Sequence, residues 1–264
     1  MTLRRPTRRR RTALMIVSAL AVALTVLLGV TRPWVPPAET APIAAAENGV
    51  SPAPLVLPEH PKVLVFGDSW TYGSAATPPT AGYAYLLADL IDGTTVVDGV
   101  RGSGYLKPGI DGPDYRTRID ALDASIDPDL IIIQGSINDR RENAAAFPAA
   151  VDATWNALTE KFPEVPIVVL GPAPHILPVG ASTARIDRAL AQLAAQRAWW
   201  YISPVQDHWI TPENYLQLID VETGRRHPSN AGHEYLAQRV HQALERFSTA
   251  PVTAADGTRP KPAK

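Results

Sequence analysis

The chain has 264 residues, contains no cysteine and carries a formal net charge of −1 at pH 7. Without cysteine, disulfides, thiol chemistry and thiolate metal sites are excluded. Arginines crowd residues 1–11, so the charge of residues 12–264 is mildly acidic, which argues against nucleic acid as a partner.

The first predicted element is an uncharged apolar stretch over residues 13–30. As a helix it would span about 27 Å, close to the roughly 30 Å of a bilayer core. The basic residues 1–11 should stay in the cytoplasm and leave the rest of the chain outside. We therefore predict a transmembrane signal-anchor over residues 12–31. The alternative is a secreted protein whose leader is cleaved near the alanines at 44–46.

Two further segments flank a single predicted domain. Residues 32–61 are rich in proline and alanine, which predicts an extended spacer. Residues 249–264 have the composition of a disordered tail. Residues 62–248, between these segments, have the usual size of one domain.

Short apolar runs alternate with helical periodicity through this domain. The predicted strands are 62–66, 94–97, 130–134, 167–170 and 199–202. The predicted helices are 83–91, 115–126, 149–162, 182–197 and 231–247. Strands that are apolar throughout are buried on both faces. The pattern therefore predicts a doubly wound, three-layer α/β sandwich around a five-stranded parallel sheet.

Ligands of open α/β sheets bind at the carboxyl ends of the strands, so residues just after predicted strands are the candidates for chemistry. Polar and glycine-rich segments lie at these places. They are GDS at 67–69, GVRGSGY at 99–105, GSIND at 135–139, and HPSNAGH at 227–233 before the last helix.

These segments supply the groups that acyl transfer needs. Ser69 is a candidate nucleophile and His227 a candidate base, because a serine hydroxyl reacts when a base takes its proton. The backbone N–H groups of Ser69 and Gly102 and the side-chain amide of Asn138 are candidate oxyanion donors. The chain has no G-x-S-x-G motif, which excludes the nucleophile elbow of α/β-hydrolases. No spacing predicts a metal site, and no cofactor is expected.

Together the four segments resemble the motifs of the SGNH hydrolases, also called GDSL-type esterases and lipases. GDSW matches the first block, Gly102 the second, Gly135 and Asn138 the third, and HPSNAGH the histidine block. The resemblance covers roughly residues 62–247 with all blocks in the right order. It implies a flavodoxin-like fold, catalysis by Ser69 and His227, and an oxyanion hole from Ser69, Gly102 and Asn138.

One position departs from the family pattern. The family usually places an aspartate three residues before the histidine, where this chain has Gly224. Asp220 and Glu222 are close enough in sequence to be the orienting acid instead. Alternatively, a backbone carbonyl could hold the Nδ1–H of the imidazole.

Several of these residues have rival interpretations. Ser69 alone would also suit the N-cap of a helix. Gly99 and Gly104 compete with Gly102 for the second block, and His208 is a rival base.

The remaining residues near these loops have simpler expected roles. Trp70 and Tyr105 are predicted to line the substrate pocket, where aromatic side chains are common. We interpret Asp68 as a turn stabiliser, Asp139 as structural and His233 as a residue on a helix face.

These features predict a membrane-anchored, extracytoplasmic serine esterase. Its predicted substrate is an envelope carbohydrate or lipid from which it removes small acyl groups, acetyl among them. Two alternatives stay open: an acyltransferase that uses the same acyl-enzyme, and a non-catalytic domain that binds acylated glycans, which Gly224 motivates.

Overall fold

The computed structural model describes residues 51–248. The predicted basic segment at 1–11, the anchor at 12–31, most of the spacer at 32–61 and the tail at 249–264 lie outside the described residues. Within residues 51–248, no helix is both long enough and apolar enough to cross a bilayer.

The domain is built on one five-stranded parallel sheet, which confirms the predicted fold class. Its strands are β1 Lys62–Gly67, β2 Thr94–Gly99, β3 Leu130–Gln134, β4 Ile167–Leu170 and β5 Trp200–Ile202. Their order in space is β2-β1-β3-β4-β5. The order reverses at β1, so the crossovers on either side of β1 place helices on opposite faces.

Alternate residues of β1 belong to two separate cores, because successive side chains point to opposite faces of a strand. Val63 and Val65 pack into one core, and Leu64 and Phe66 into the other. Both cores therefore bury the central strands, which explains why those strands are apolar throughout.

Helices cover both faces of the sheet. They are α1 Ser69–Tyr72, α2 Tyr83–Leu90, α3 Tyr115–Ala121, α4 Phe147–Lys161, α5 Ala181–Gln196, α6 Tyr215–Leu218 and α7 Asn230–Ser248. α2 and α7 pack over one core, through Leu87 and Val240 among others. α3, α4 and α5 pack over the other, through Ile119, Trp155 and Leu190.

The predicted helix at 115–126 is shorter in the structure. It ends at Ala121, and a separate 3-10 turn follows over Ala124–Ile126. The Asp123 side chain accepts the N–H of Ser125, and this local bond competes with helix continuation. The sequence analysis did not predict α1, α6 or the short antiparallel pair β6 Ile219–Asp220 and β7 His227–Pro228.

Ordered packing begins within the predicted spacer. Leu55 is only 2% exposed and belongs to the core. Its N–H donates to the carbonyl of Phe247 over 2.8 Å. That carbonyl lies near the end of α7, a 19-residue helix, so the contact is about 25 Å along the helix from Asn230.

Candidate active site

Ser69 follows directly on the carboxyl end of the central strand β1. It is the first residue of α1 and is 6% exposed. The carboxylate of Asp68 accepts the N–H of Trp70 over 2.9 Å and so caps this short helix. The interpretation of Asp68 as a turn stabiliser is confirmed.

The imidazole of His227 contacts this serine, although the two residues are 158 positions apart. The distance between His227 Nε2 and Ser69 Oγ is 2.9 Å. On the other side of the ring, Nδ1 lies 2.7 Å from the carbonyl oxygen of Gly224. A carbonyl only accepts, so Nδ1 carries the proton and Nε2 presents its lone pair to the serine hydroxyl.

Burial lowers the pKa of His227 below its ordinary value. The hydrogen bond to the Gly224 carbonyl opposes this shift, and the positive charge of Arg225 adds to it. The imidazole is therefore neutral at neutral pH, which is the state that can accept a proton.

A backbone carbonyl, not a carboxylate, orients His227. Within residues 51–248, neither Asp220 nor Glu222 forms an ion pair with His227. Neither residue is therefore the orienting acid, and the alternative of a backbone carbonyl is the one found in the structure. Asp220 instead accepts the N–H groups of Glu222 and Thr223 and the hydroxyl of Thr223, over 3.0, 2.9 and 2.8 Å. Asp220 thus organises the loop that carries the Gly224 carbonyl.

Gly224 is the residue that this loop requires. A Cβ built there would lie 2.6 Å from the Cβ atoms of both Ala75 and Asp220. The next two residues, Arg225 and Arg226, have φ of 51° and 65°, in the left-handed region that side chains disfavour. The loop therefore excludes a side chain at the position where the family usually has its acid.

The loop after β2 brings Gly102 to the same edge of the sheet. Gly102 has φ of 76°, which favours glycine. Gly104, a rival of Gly102 for the second block, packs instead against Asp139. A Cβ built at Gly104 would lie 2.6 Å from the carboxylate oxygens of Asp139. Asp139 accepts the N–H of Tyr105 over 2.8 Å, in agreement with its expected structural role.

Asn138 joins this loop to the serine turn. Its Nδ2 donates to the carbonyl of Ser103 over 3.0 Å and to Asp68 Oδ2 over 3.3 Å. The hydroxyl of Ser136 donates to the same Ser103 carbonyl over 3.0 Å. Burial raises the pKa of Asp68 to about 7, against the opposing effect of the Trp70 N–H.

The sequence pattern of the GDSL-like lipase/acylhydrolase family matches residues 65–235, which include this whole arrangement. The chain belongs to this family. Members of the family are hydrolases that act on ester bonds, so the chain is an ester hydrolase.

Known relatives agree with this assignment. A GDSL lipase of Mycobacterium tuberculosis is 27% identical over 188 residues, which are 67% of this chain and 79% of the relative. Among solved structures, a carbohydrate acetylesterase family member from Sinorhizobium meliloti has a TM-score of 0.55 at 14% identity, with 71% of this chain and 99% of the other covered.

A two-domain esterase active on acetylated mannans has a TM-score of 0.57 at 16% identity, with 72% of this chain and 50% of the other covered. At these identities the two structures share the fold with this GDSL hydrolase, and their substrates are their own.

The two aromatic residues predicted to line the substrate pocket are buried in the cores of the GDSL domain. Trp70 is 4% and Tyr105 3% exposed. The hydroxyl of Tyr105 accepts the indole N–H of Trp155 over 3.0 Å, deep in the second core. The pocket prediction is therefore wrong, because nearness to a loop in sequence does not determine whether an aromatic ring faces inward.

Within residues 51–248, neither of the other two histidines that the sequence analysis considered has a hydrogen bond to Ser69. His208, the rival base, is exposed, and it is His227 that contacts Ser69. His233 is buried, with its ring nitrogens 3.1 Å from the N–H of Tyr83 and 3.1 Å from the carbonyl of Ser74. Its role is to tie α7 to the segment after α1. Residues 51–248 contain no cluster of three metal-ligating side chains.

Sequence reasoning missed His175. It follows β4 and belongs to none of the four motif segments. Its Nδ1 is buried and has no hydrogen-bond partner within residues 51–248. Burial, together with the nearby Arg140, Arg226 and His227, lowers the pKa of His175 to about 4. His175 thus belongs to the surroundings of the reaction centre.

Proposed function

We propose that this ester hydrolase works as a serine esterase, with Ser69 as nucleophile and His227 as general base. The observation that carries the proposal is the 2.9 Å contact between Ser69 Oγ and the unprotonated Nε2 of a neutral imidazole. This is the distance at which a base can take the hydroxyl proton as the oxygen attacks an ester carbonyl.

Acylation then proceeds at the edge of the sheet. Nε2 takes the Ser69 proton while Oγ bonds to the carbonyl carbon, and the carbonyl oxygen becomes an oxyanion. The imidazolium returns the proton to the leaving alcohol oxygen as the C–O bond breaks, which leaves an acyl-enzyme. Nε2 takes a proton from a water molecule as the water oxygen bonds to the acyl carbon, and the imidazolium returns that proton to Ser69 Oγ as the bond between Oγ and the acyl carbon breaks, which releases the acid and the free enzyme.

Three donors are proposed for the oxyanion. The backbone N–H groups of Ser69 and Gly102 have no acceptor within the described part of the chain, so both are available. The Asn138 amide has both N–H groups engaged, and the 3.3 Å contact to Asp68 is the weaker. Donation from Asn138 to the oxyanion would replace that contact.

We also propose that the acyl group is small, acetyl among the candidates, and that the ester belongs to an envelope carbohydrate or lipid. The relatives that support this choice are an esterase active on acetylated mannans and a GDSL lipase. An envelope substrate also fits the proposed N-terminal anchor, which would hold the domain outside the membrane. Mass spectrometry of the membrane fraction tests the anchor: an intact N-terminus supports it, and a chain starting at Glu47 refutes it.

The catalytic test is hydrolysis of 4-nitrophenyl acetate by the wild type and by Ser69→Ala. Removal of the nucleophile should lower kcat by at least about 10⁴-fold. Equal rates in the two proteins would refute the esterase and favour a binding domain. Product analysis with an added acceptor alcohol distinguishes hydrolysis from acyl transfer.

A further inference from the structure

A cleft opens beside the proposed base. Its volume is about 350 Å³, and Arg226, the residue before His227, forms part of its wall. The rest of the wall comes from the segment after β4 and from the region of α6. These lining residues are Ile176, Leu177, Pro212, Tyr215 and Leu216.

A second cleft of about 480 Å³ adjoins the first. The two share Leu177 and Pro212, and the second adds further apolar side chains, Val179 and Ile210 among them. Leu216 is 78% exposed at the rim of the first cleft. A large exposed apolar side chain in such a place is typical of a binding surface. The apolar side chains of the walls suit a flexible apolar chain.

The end of the cleft near His227 is positively charged. Arg226 forms no ion pair with a carboxylate in residues 51–248, and Arg140 donates only to the carbonyl of Ile137, over 3.1 Å. By contrast, Arg101, Arg116 and Arg118 each pair with an aspartate.

Both unpaired arginines lie close enough to His175 to lower its pKa, and the buried Nδ1 of His175 also lacks a partner. A guanidinium is the side chain best suited to bind a phosphate or carboxylate. The domain as a whole is acidic, so these two arginines form a local positive patch beside the proposed base.

We propose that the ester substrate is an anionic amphiphile: its acidic group pairs with Arg226 and Arg140, and its apolar chain lies in the cleft between Ile176 and Leu216. This inference rests on the proposed esterase function and selects a lipid-like substrate within it. An acidic glycan would satisfy the arginines, but the apolar walls would then face water or sugar hydroxyls, which is unfavourable.

The test uses the full chain in detergent and two esters that differ only in charge. They are 1-O-decyl-2-acetylglycerol 3-phosphate and 1-O-decyl-2-acetylglycerol, in which the ester carries a small acyl group and the ether-linked decyl chain is the apolar part. We expect kcat/KM to be about tenfold or more higher for the phosphate ester, as a charge-assisted hydrogen bond allows. Arg226→Gln and Arg140→Gln should each lower, several-fold, the ratio of kcat/KM for the phosphate ester to kcat/KM for the neutral ester. Added salt should lower the same ratio in the wild type. Arg116→Gln, which removes a surface arginine paired with Asp120, is the matched control and should keep the ratio.

A second variant tests the apolar part of the cleft. Leu216→Asp places a charge at an exposed position, so the fold should tolerate it. It should lower the ratio of kcat/KM for the acetyl phosphate ester with the decyl chain to that for the same ester with a butyl chain. An unchanged ratio would mean that the chain binds elsewhere and would overturn this part of the proposal.

Three outcomes would overturn the proposal as a whole while leaving the esterase function intact. The first is an equal phosphate preference in Arg226→Gln, Arg140→Gln and the wild type. The second is a preference for acetylated glucuronate over acetylated glucose without any preference in the glycerol pair, which would indicate an acidic glycan. The third is turnover of 4-nitrophenyl acetate without turnover of either acetyl ester that carries the decyl chain. Failure of the esterase function itself is separate, because it shows as equal 4-nitrophenyl acetate rates in the wild type and Ser69→Ala.

Discussion

The two sides of the Ser69–His227 hydrogen bond are built differently. On the serine side, the turn after β1 is buried, and the Asp68 carboxylate ties it to Trp70 and Asn138. On the histidine side, the imidazole depends on the carbonyl of Gly224, in a loop that lies between the short strands β6 and β7. Most side chains of that loop are exposed.

The difference shows that the serine side is positioned by the core and the histidine side by local backbone bonds. A buried strand fixes its carboxyl end through packing, so the nucleophile turn has little freedom. The loop at 220–227 is largely exposed and keeps its shape through the bonds that Asp220 accepts. Changes in this loop should therefore affect the base and leave the nucleophile turn intact.

The largest expected effect comes from the base itself. His227→Gln keeps a polar side chain but removes proton transfer, so kcat should fall by at least about 10⁴-fold. Stopped assays with 4-nitrophenyl acetate measure this loss, and thermal unfolding should show little change in Tm. His241→Gln, a surface histidine beside Glu245 on α7, is the control and should retain wild-type rates.

Restoring the usual family acid should harm this enzyme. In Gly224→Asp the new Cβ would meet Ala75 and Asp220 at 2.6 Å, so the loop must move. We expect Tm to fall by about 5 °C and kcat by about tenfold, because the orienting carbonyl moves with the loop. Gly180→Asp is the control, since a Cβ built at Gly180 has no neighbour within 4 Å. A gain of activity in Gly224→Asp would contradict the account of this loop.

Asp220 and Glu222 form a matched pair, because both precede His227 but only Asp220 accepts loop hydrogen bonds through its side chain. Asp220→Ala should lower kcat/KM roughly tenfold by loosening the Gly224 carbonyl. Glu222→Ala, a surface change, should stay within about twofold of the wild type.

The pH profile distinguishes positioning from direct charge pairing. If Asp220 acts through the loop, Asp220→Asn should leave the pH midpoint of the acid limb of kcat/KM unchanged. A downward shift of that midpoint would indicate a direct charge interaction between Asp220 and His227.

The smallest expected effect concerns charge beside the base. Activity is lost as pH falls, when His227 takes up a proton, and its lowered pKa puts that loss below the ordinary histidine value of about 6.5. Arg225 contributes to the lowering, so Arg225→Gln should raise the midpoint of the acid limb by a few tenths of a pH unit. The shift should shrink at high salt. A downward shift would refute the role of Arg225.

Sequence patterns predicted the parts of the fold that depend on burial. The run LIIIQ at 130–134 matches β3 residue for residue, because a strand covered on both faces must be apolar throughout. β6 and β7 have two residues each, which is too short for any periodicity to indicate a strand. The end of α3 at Ala121 was missed because a local Asp123 bond decided it.

In the candidate site, too, sequence motifs predicted some residues, whereas other groups depend on how the loops fold. Ser69, Gly102 and Asn138 were found because each follows a strand end in a recognisable motif, and the structure brings their loops to one edge. The carbonyl of Gly224 could not be predicted as the orienting group, because any residue supplies a carbonyl and only the fold of the loop directs it. His175 is a lone histidine without a motif, and its place after β4 was the available signal.

The hydrogen bond from Leu55 to Phe247 brings the two ends of the packed domain together, far along α7 from the reaction centre. Enzymes with adjacent ends tolerate circular permutation well. A short peptide that joins the chain after Ser248 to the chain before Leu55 should permit new termini in a surface loop elsewhere. For the same reason, immobilisation on a sensor chip through either end should leave the catalytic edge open to substrate.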